Sequence, residues 1–241
     1  MKRLILISLI ALVLTSCVIH VGVVPDGNLK YYNEALLCEV CETNQLNVST
    51  STADIELEGS YDNIINILVG YYECRPGDAI IYLENGTIKA GSRSGKQVKI
   101  SKVSGEIPGW LNLKISNSTG NIDVSYMQEA HQIRISNATG NISLEENDVE
   151  EMGIEVGSGN VYLTDNTAYE MRLRVGSGNI YLDDIGAANV DIQAGSGNVT
   201  LEDSDLDYGS ITAGSGDIIL IDSDAYNVDM KVGSGRIIHQ D

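Results

Sequence analysis

Phenylalanine is absent from this 241-residue chain, tryptophan occurs once, proline three times, and Lys and Arg together number only 15 against 34 Asp and Glu. Without Phe, a core built on large aromatic rings is excluded, although Tyr occurs 12 times. Few prolines beside 25 glycines fit many tight turns in a regular fold better than a disordered chain. A formal net charge of -19 makes nucleic acid and anionic lipid headgroups poor partners, because both would be repelled. Cations and basic proteins suit such a surface better. The three histidines, His20, His131 and His239, are dispersed, and none has a nucleophile beside it. Helical solenoids are excluded as well, since no window carries the 3.6-residue period.

What the chain does have is an internal repeat. A glycine after Ser or Thr recurs at Gly120, Gly140, Gly159, Gly178, Gly197, Gly216 and Gly235, followed by Asn in the first five, first at a step of 20 residues and then at 19. Seven, five and three residues before it stand apolar side chains such as Met171, Leu173 and Val175, with Arg172 and Arg174 between them. Two and four residues after it stand Ile180 and Leu182 or their equivalents. Both runs alternate with period 2, as strands with one face inward do. Each coil therefore reads as strand, glycine corner, strand and a polar loop back. One coil cannot bury its apolar stripe alone, whereas a stack makes a continuous core. The fold class expected is all-β, a single-stranded parallel β-solenoid of about 19 residues per coil.

A degenerate coil, Leu46 to Leu57, lies upstream with Ala53 in the glycine place. Between it and the array, residues 60–110 hold Ile64–Val69, Ala79–Leu83 and Gln97–Ile100, with Asn85-Gly86 as a hairpin turn. These are expected to form antiparallel hairpins that cap the N-terminal end and cover its open edge. In the last coil Arg236 replaces the corner Asn, and His239 stands where most coils have Leu. Polarity there suits edge protection, and a dimer contact is the alternative.

The N-terminus is set apart from the fold. Lys2 and Arg3 precede an apolar run, Leu4 to Leu14, and then Leu14-Thr15-Ser16-Cys17. This resembles a bacterial lipobox, which implies cleavage before Cys17, diacylglycerol on its thiol and a further acyl chain such as palmitate on the new amino group. Two or more chains anchor a protein stably on a membrane. The alternative is an uncleaved anchor reaching Val24, but Thr15-Ser16-Cys17 and His20 fit a hydrocarbon core badly. Residues 1–16 are thus expected to be signal, 17–44 a lipidated tether and 45–241 the solenoid domain, with 111–241 as its regular coils. Loss of Lys2 and Arg3 takes the charge from -19 to -19 - 2 = -21. In an oxidising envelope Cys74 is expected to bridge Cys38 or Cys41. The Cys38–Cys41 spacing also fits half a zinc site or a redox motif, though nothing nearby completes either.

Taken together, the first coil Leu46–Leu57, the hairpin insertion, Pro108-Gly109-Trp110-Leu111 and the repeated Ser-Gly-Asn/Asp-Ile/Val-x-Leu resemble the "putative adhesin" β-solenoid domains of unknown function. Those domains have adhesin-head-like repeats and occur in bacterial and some archaeal surface proteins. The resemblance spans residues 45–241 and implies fold and location; it brings no catalytic or ligand-binding residues.

A repeated position becomes a column along a solenoid. Asn121, Asn141, Asn160, Asn179 and Asn198, continued by Asp217, are expected to form an amide ladder. Six residues after each glycine from Gly140 onward stand Glu146, Asp165, Asp184, Asp203, Asp222 and Asp241, like charges that repel at coil spacing. Local Asx-turns would offset this. The sharper alternative is weak divalent cation binding, Ca²⁺ held between Asp165, Asp184, Asp203 and Asp222. Tyr162 and Tyr181 point outward, in line with Thr200, Ile219 and Ile238, as a strip for a partner or glycan, unless a loop covers it. Formal glycosylation sequons overlap the repeat and follow from its composition.

Gly91–Gln97 is one residue short of a phosphate-binding loop, and no helix follows it. The expected function is a non-catalytic surface lipoprotein of the cell envelope, without a cofactor, used for adhesion, scaffolding or envelope sensing. The alternative is a carbohydrate-active β-helix enzyme with paired carboxylates, which would need long loops to wall a cleft. Coils held to 19 residues leave little room for such loops.

Overall fold

Leu, Ile and Val at alternate positions give each repeat one apolar stripe, which is dry only between two other coils. The computed structural model describes residues 17–26, 29–39 and 43–240, with the backbone alone for 17–26, 29 and 39. The described residues form strands and turns without a helix, stacked as a β-solenoid of about 7 turns and about 19 residues per turn. Strands β1 (Cys17–Asp26) and β2 (Leu29–Glu39) precede the first coil, which is β3 (Gln45–Ser49) and β4 (Asp54–Ser60). The insertion supplies β5 (Ile64–Glu73), β6 (Ala79–Glu84), β7 (Thr87–Ser92) and β8 (Lys99–Pro108). The regular array opens with β9 (Asn112–Thr119), β10 (Ile122–Ser125), β11 (Gln128–Thr139), β12 (Ile142–Glu145) and β13 (Asp148–Ser158). It continues through β14 (Val161–Ser177), β15 (Ile180–Ser196), β16 (Val199–Glu202), β17 (Asp205–Ser215), β18 (Ile218–Ile221), β19 (Asp224–Ser234) and β20 (Ile237–Gln240).

Two parallel ladders run the length of the stack. One carries β3, β9, β11, β13, β14, β15, β17 and β19 in that order. The other carries β4, β10, β12, β14, β15, β16, β18 and β20. Equivalent residues pair from coil to coil: Leu173 with Ile192, Ile192 with Ile211, Leu163 with Leu182. Their side chains meet inside, where Leu173, Ile192, Ile211, Ile180 and Val199 are all fully buried. Burying one such side chain contributes about 1.5–3 kcal/mol. A one-residue slip would turn every stripe to water, so register is held tightly. The 20-residue step between Gly120 and Gly140 keeps this register by a bulge. Its extra residue, Glu129, is left unpaired between Gln128 and Ala130 with φ of 66°.

The return of each coil differs from the polar loop expected. The chain turns on one residue of the acidic column, such as Asp165, and β14 and β15 run straight through that corner as 17-residue strands.

At the N-terminal end the expected cap is present, with two corrections. Antiparallel β5 pairs both β2 and β8, but β8 itself runs parallel to β4. The β6–β7 hairpin turns at Asn85 and Gly86, with φ of 48° and 70°, and its tip accepts the Asn47 N–H on the Gly86 carbonyl at 2.6 Å. Residues 17–44, expected as a tether, instead supply β1 and β2. The reason lies in β2, where Tyr32, Glu34 and Leu36 alternate inward and are buried. Buried Glu73 ties the following turn by accepting the N–H groups of Gly77, Asp78 and Ala79 at 2.6–3.0 Å.

The register also corrects one disulfide. Cys38 lies opposite Ile65, while Cys74 follows Glu73, which lies opposite Lys30. Nine strand positions at about 3.4 Å each separate the two cysteines by roughly 30 Å, against the roughly 7 Å a bridge tolerates between Cα atoms. Cys38 and Cys74 therefore do not bridge in this ladder. Cys41 lies outside the described residues.

Candidate functional site: corners and outward columns

The coils of the regular array have two corners, which take a positive φ from Gly120 to Gly216 on one side and from Tyr126 to Asp222 on the other. At the glycine corner φ lies between 130° and 157° from Gly120 to Gly216. That region is open in practice to glycine alone. At Gly178, with φ of 141°, a Cβ would also stand 1.9 Å from the Gly159 carbonyl oxygen. The N–H of Gly178 donates to the Ser196 carbonyl at 2.9 Å, which ties this corner to the coil above.

At the opposite corner Tyr126, Glu146, Asp165, Asp184, Asp203 and Asp222 take φ between 45° and 57°. This is the small left-handed region, where Asp and Asn are enriched because their short polar side chains bond locally. The acidic column thus has a backbone cause. Its four proposed cation ligands, Asp165, Asp184, Asp203 and Asp222, sit one per coil. Among the described residues no group of three or more His, Cys, Asp or Glu side chains converges as a metal site. A hydrogen bond from Asp184, followed by desolvation and then by the charges of Asp184, Glu146 and Asp183, raises the Asp165 carboxyl above its usual range.

Two side-chain ladders knit the corners. Outside, the expected Asn column bonds not amide to amide but amide to backbone. The Asn121 side-chain oxygen accepts the Asn141 N–H at 3.0 Å, and the pattern runs through Asn141, Asn160, Asn179 and Asn198 to Asp217. Asp54 starts it by accepting the Asn121 N–H, and Arg236 ends it by donating to Asp217. Inside lies a second ladder that sequence reasoning missed, immediately after the acidic corner. The buried Asn166 accepts the Asn147 N–H and side-chain amide at 3.1 and 2.8 Å, and donates to the Leu144 and Thr164 carbonyls. Ser204 and Ser223 repeat the pattern higher in the stack. The signal was a polar residue seven after four of the glycines, Asn147, Asn166, Ser204 and Ser223, masked by Met127 and Ile185 in the same column.

The outward faces carry the remaining candidates. Tyr162 and Tyr181 stack at 5.1 Å with planes 3° apart, and Asn160 and Asn179 donate to their hydroxyls at 3.0 Å. A groove of about 370 Å³ lined by Glu56, Glu58, Glu106, Asp123 and Glu145 crosses β4, β8, β10 and β12. Burial, then the charges of Glu56 and Asp54, raise the Asp123 carboxyl against the pull of Lys102. Lys102 is bound to Glu56 at 2.7 Å. His131 contacts Glu150 on the surface. Cys17 is the first residue of β1, and its side chain lies outside the described residues, as does Asp241.

Comparison with known proteins bears on the fold. No curated protein matches the chain. A solved "putative adhesin" from Bacteroides fragilis is 19% identical with a TM-score of 0.59, over 89% of this chain and 98% of that one. One from Parabacteroides merdae is 14% identical with a TM-score of 0.53, over 90% and 98%. One from Parabacteroides distasonis is 16% identical with a TM-score of 0.51, over 89% and 98%. The Toastrack DUF4097 family model matches residues 40–241, which takes in every coil, the insertion and the acidic corners. The chain belongs to the Toastrack DUF4097 family.

Proposed function

We propose that this protein is a non-catalytic surface module of the cell envelope, held by lipid on Cys17, whose outward columns serve adhesion, scaffolding or sensing. The observation that carries the reading is the regularity of the array. From β13 onward, coil after coil returns in the same register through short corners, so no loop rises to wall a cleft. The acids of the repeated column stand at corners, where their backbone angle accounts for them. Solved proteins of this fold that carry the adhesin name agree with a surface location.

Metabolic labelling with an alkyne fatty acid tests the anchor. The wild type takes the label and sediments with membranes; Cys17→Ala loses both. Retention of label by the variant would overturn lipidation at Cys17. A panel of polysaccharides tests the absence of catalysis. No release of reducing ends or unsaturated sugars is expected, and release abolished by substitution of Glu58 or Glu106 would favour an enzyme instead.

A further inference from the structure

Gly153 is unlike the corner glycines. It lies inside β13 on the outward face, its φ is not among the positive ones, and an added Cβ would meet only ordinary contacts, the nearest being Arg134 Cγ at 3.7 Å. Glycine inside a strand weakens it, and such a glycine often stands at a bulge, a bend or a place where a ligand or another backbone approaches closely. In register, Gly153 lies directly between Arg134 on one coil and Arg172 on the next, with Lys114 one coil further. The missing side chain leaves a notch of about 330 Å³ between these cations, bordered also by Arg174 and by Glu151, Glu155 and Glu170.

The concentration of positive charge there is out of proportion to the rest of the array. Residues 111–241 hold six Lys and Arg, namely Lys114, Arg134, Arg172, Arg174, Lys231 and Arg236, and the first four border this notch. Arg134 pairs with Glu151 at 3.4 Å, Arg172 with Glu170, and Arg174 with Asp191 at 2.6 Å. Each guanidinium carries five N–H donors, so N–H groups remain for a ligand. All three side chains are about half exposed, at 58%, 51% and 44%.

We propose that this notch binds a carboxylated sugar, one uronic or sialic acid unit of a glycan, with its carboxylate between Arg134 and Arg172 and its ring over Gly153. Bidentate guanidinium contacts match a planar carboxylate. Glu151, Glu155 and Glu170 accept the sugar hydroxyls, and they repel a doubly charged phosphate. The overall charge of -19 turns away long, dense polyanions, which leaves glycans with spaced carboxylates. The inference rests on the non-catalytic surface reading and gives it a ligand class.

The test is titration of the full chain with glucuronate, galacturonate and N-acetylneuraminate oligosaccharides, each beside its methyl ester, followed by calorimetry and protein NMR. The acids are expected to bind and the esters to bind at least roughly tenfold more weakly, with shifts centred on β11, β13 and β14. Gly153→Gln fills the notch without backbone strain, so it should abolish binding while the melting temperature holds or rises. The double variant Arg134→Gln/Arg172→Gln should also lose binding. The inference is overturned if none of the acids binds up to about 10 mM, if esters bind as well as acids, or if Gly153→Gln binds unchanged. Any of these leaves the surface reading standing, because fatty-acid labelling and the polysaccharide panel decide that separately.

Discussion

The two corners of a coil solve the same problem, a reversal within a few residues, in two regions of backbone space. The glycine corner at φ of 130–157° has no place for a side chain, both by its angle and because a carbonyl of the preceding coil fills the site of the Cβ. The acidic corner at φ of 45–57° accepts Asp, Glu and even Tyr126. One column is therefore glycine alone from Gly120 onward, while the other drifts. An unvarying column need not signal a ligand, and a varying acidic one need not signal a metal.

Substitutions at the two corners can break or sharpen this contrast. The largest effect is expected for Gly178→Ala, which meets both the forbidden angle and a 1.9 Å clash with the Gly159 carbonyl. It should cost at least about 3 kcal/mol in urea unfolding. Equal stability of Gly178→Ala and wild type would end the steric account. Next comes Asn166→Ala, beside the acidic corner, which strips partners from the buried Asn147 N–H and from two carbonyls. A loss of about 2–3 kcal/mol is expected. On the outside, Asn179→Ala leaves the Asn198 N–H to water, and about 1 kcal/mol should be lost.

The smallest effect belongs to Asp165→Asn. A folded-state carboxyl raised above 3.8 favours the protonated form. Its contribution to stability is present below that value and is lost as pH rises through the raised one. Asp165→Asn should therefore melt slightly higher than wild type at neutral pH, and the two should converge on acidification. A difference that grows on acidification would contradict the assigned direction.

Much of the solenoid was legible because its signals are local and repeated. The alternation around Leu173 and Leu182 fixes which face is inward, and the 19-residue step fixes which residues stack. The Asn85-Gly86 hairpin declared itself in two letters. What stayed hidden depends on neighbours distant in sequence. That β8 lies parallel to β4, or that β2 enters the cap beside β5, follows from pairing partners no local pattern names. The inner Asn and Ser ladder was obscured because Met127 and Ile185 break its column, and backbone pairing takes over from side-chain capping between Asn166 and Ile185. The notch over Gly153 was invisible for a related reason: Arg134 and Arg172 are 38 residues apart in sequence and two strands apart in space.

The last coil has consequences for how the molecule comes apart. Val228, Met230 and Val232 occupy inward positions yet are only partly covered, and Ile237 is 40% exposed, whereas Leu46 and Ile55 at the other extremity are sealed. Stability in a stacked chain is a sum of nearest-neighbour terms, so fraying has a direction. Amide exchange should be fastest in β19 and β20 and slow progressively toward β9, as a zipper opens from its loose end.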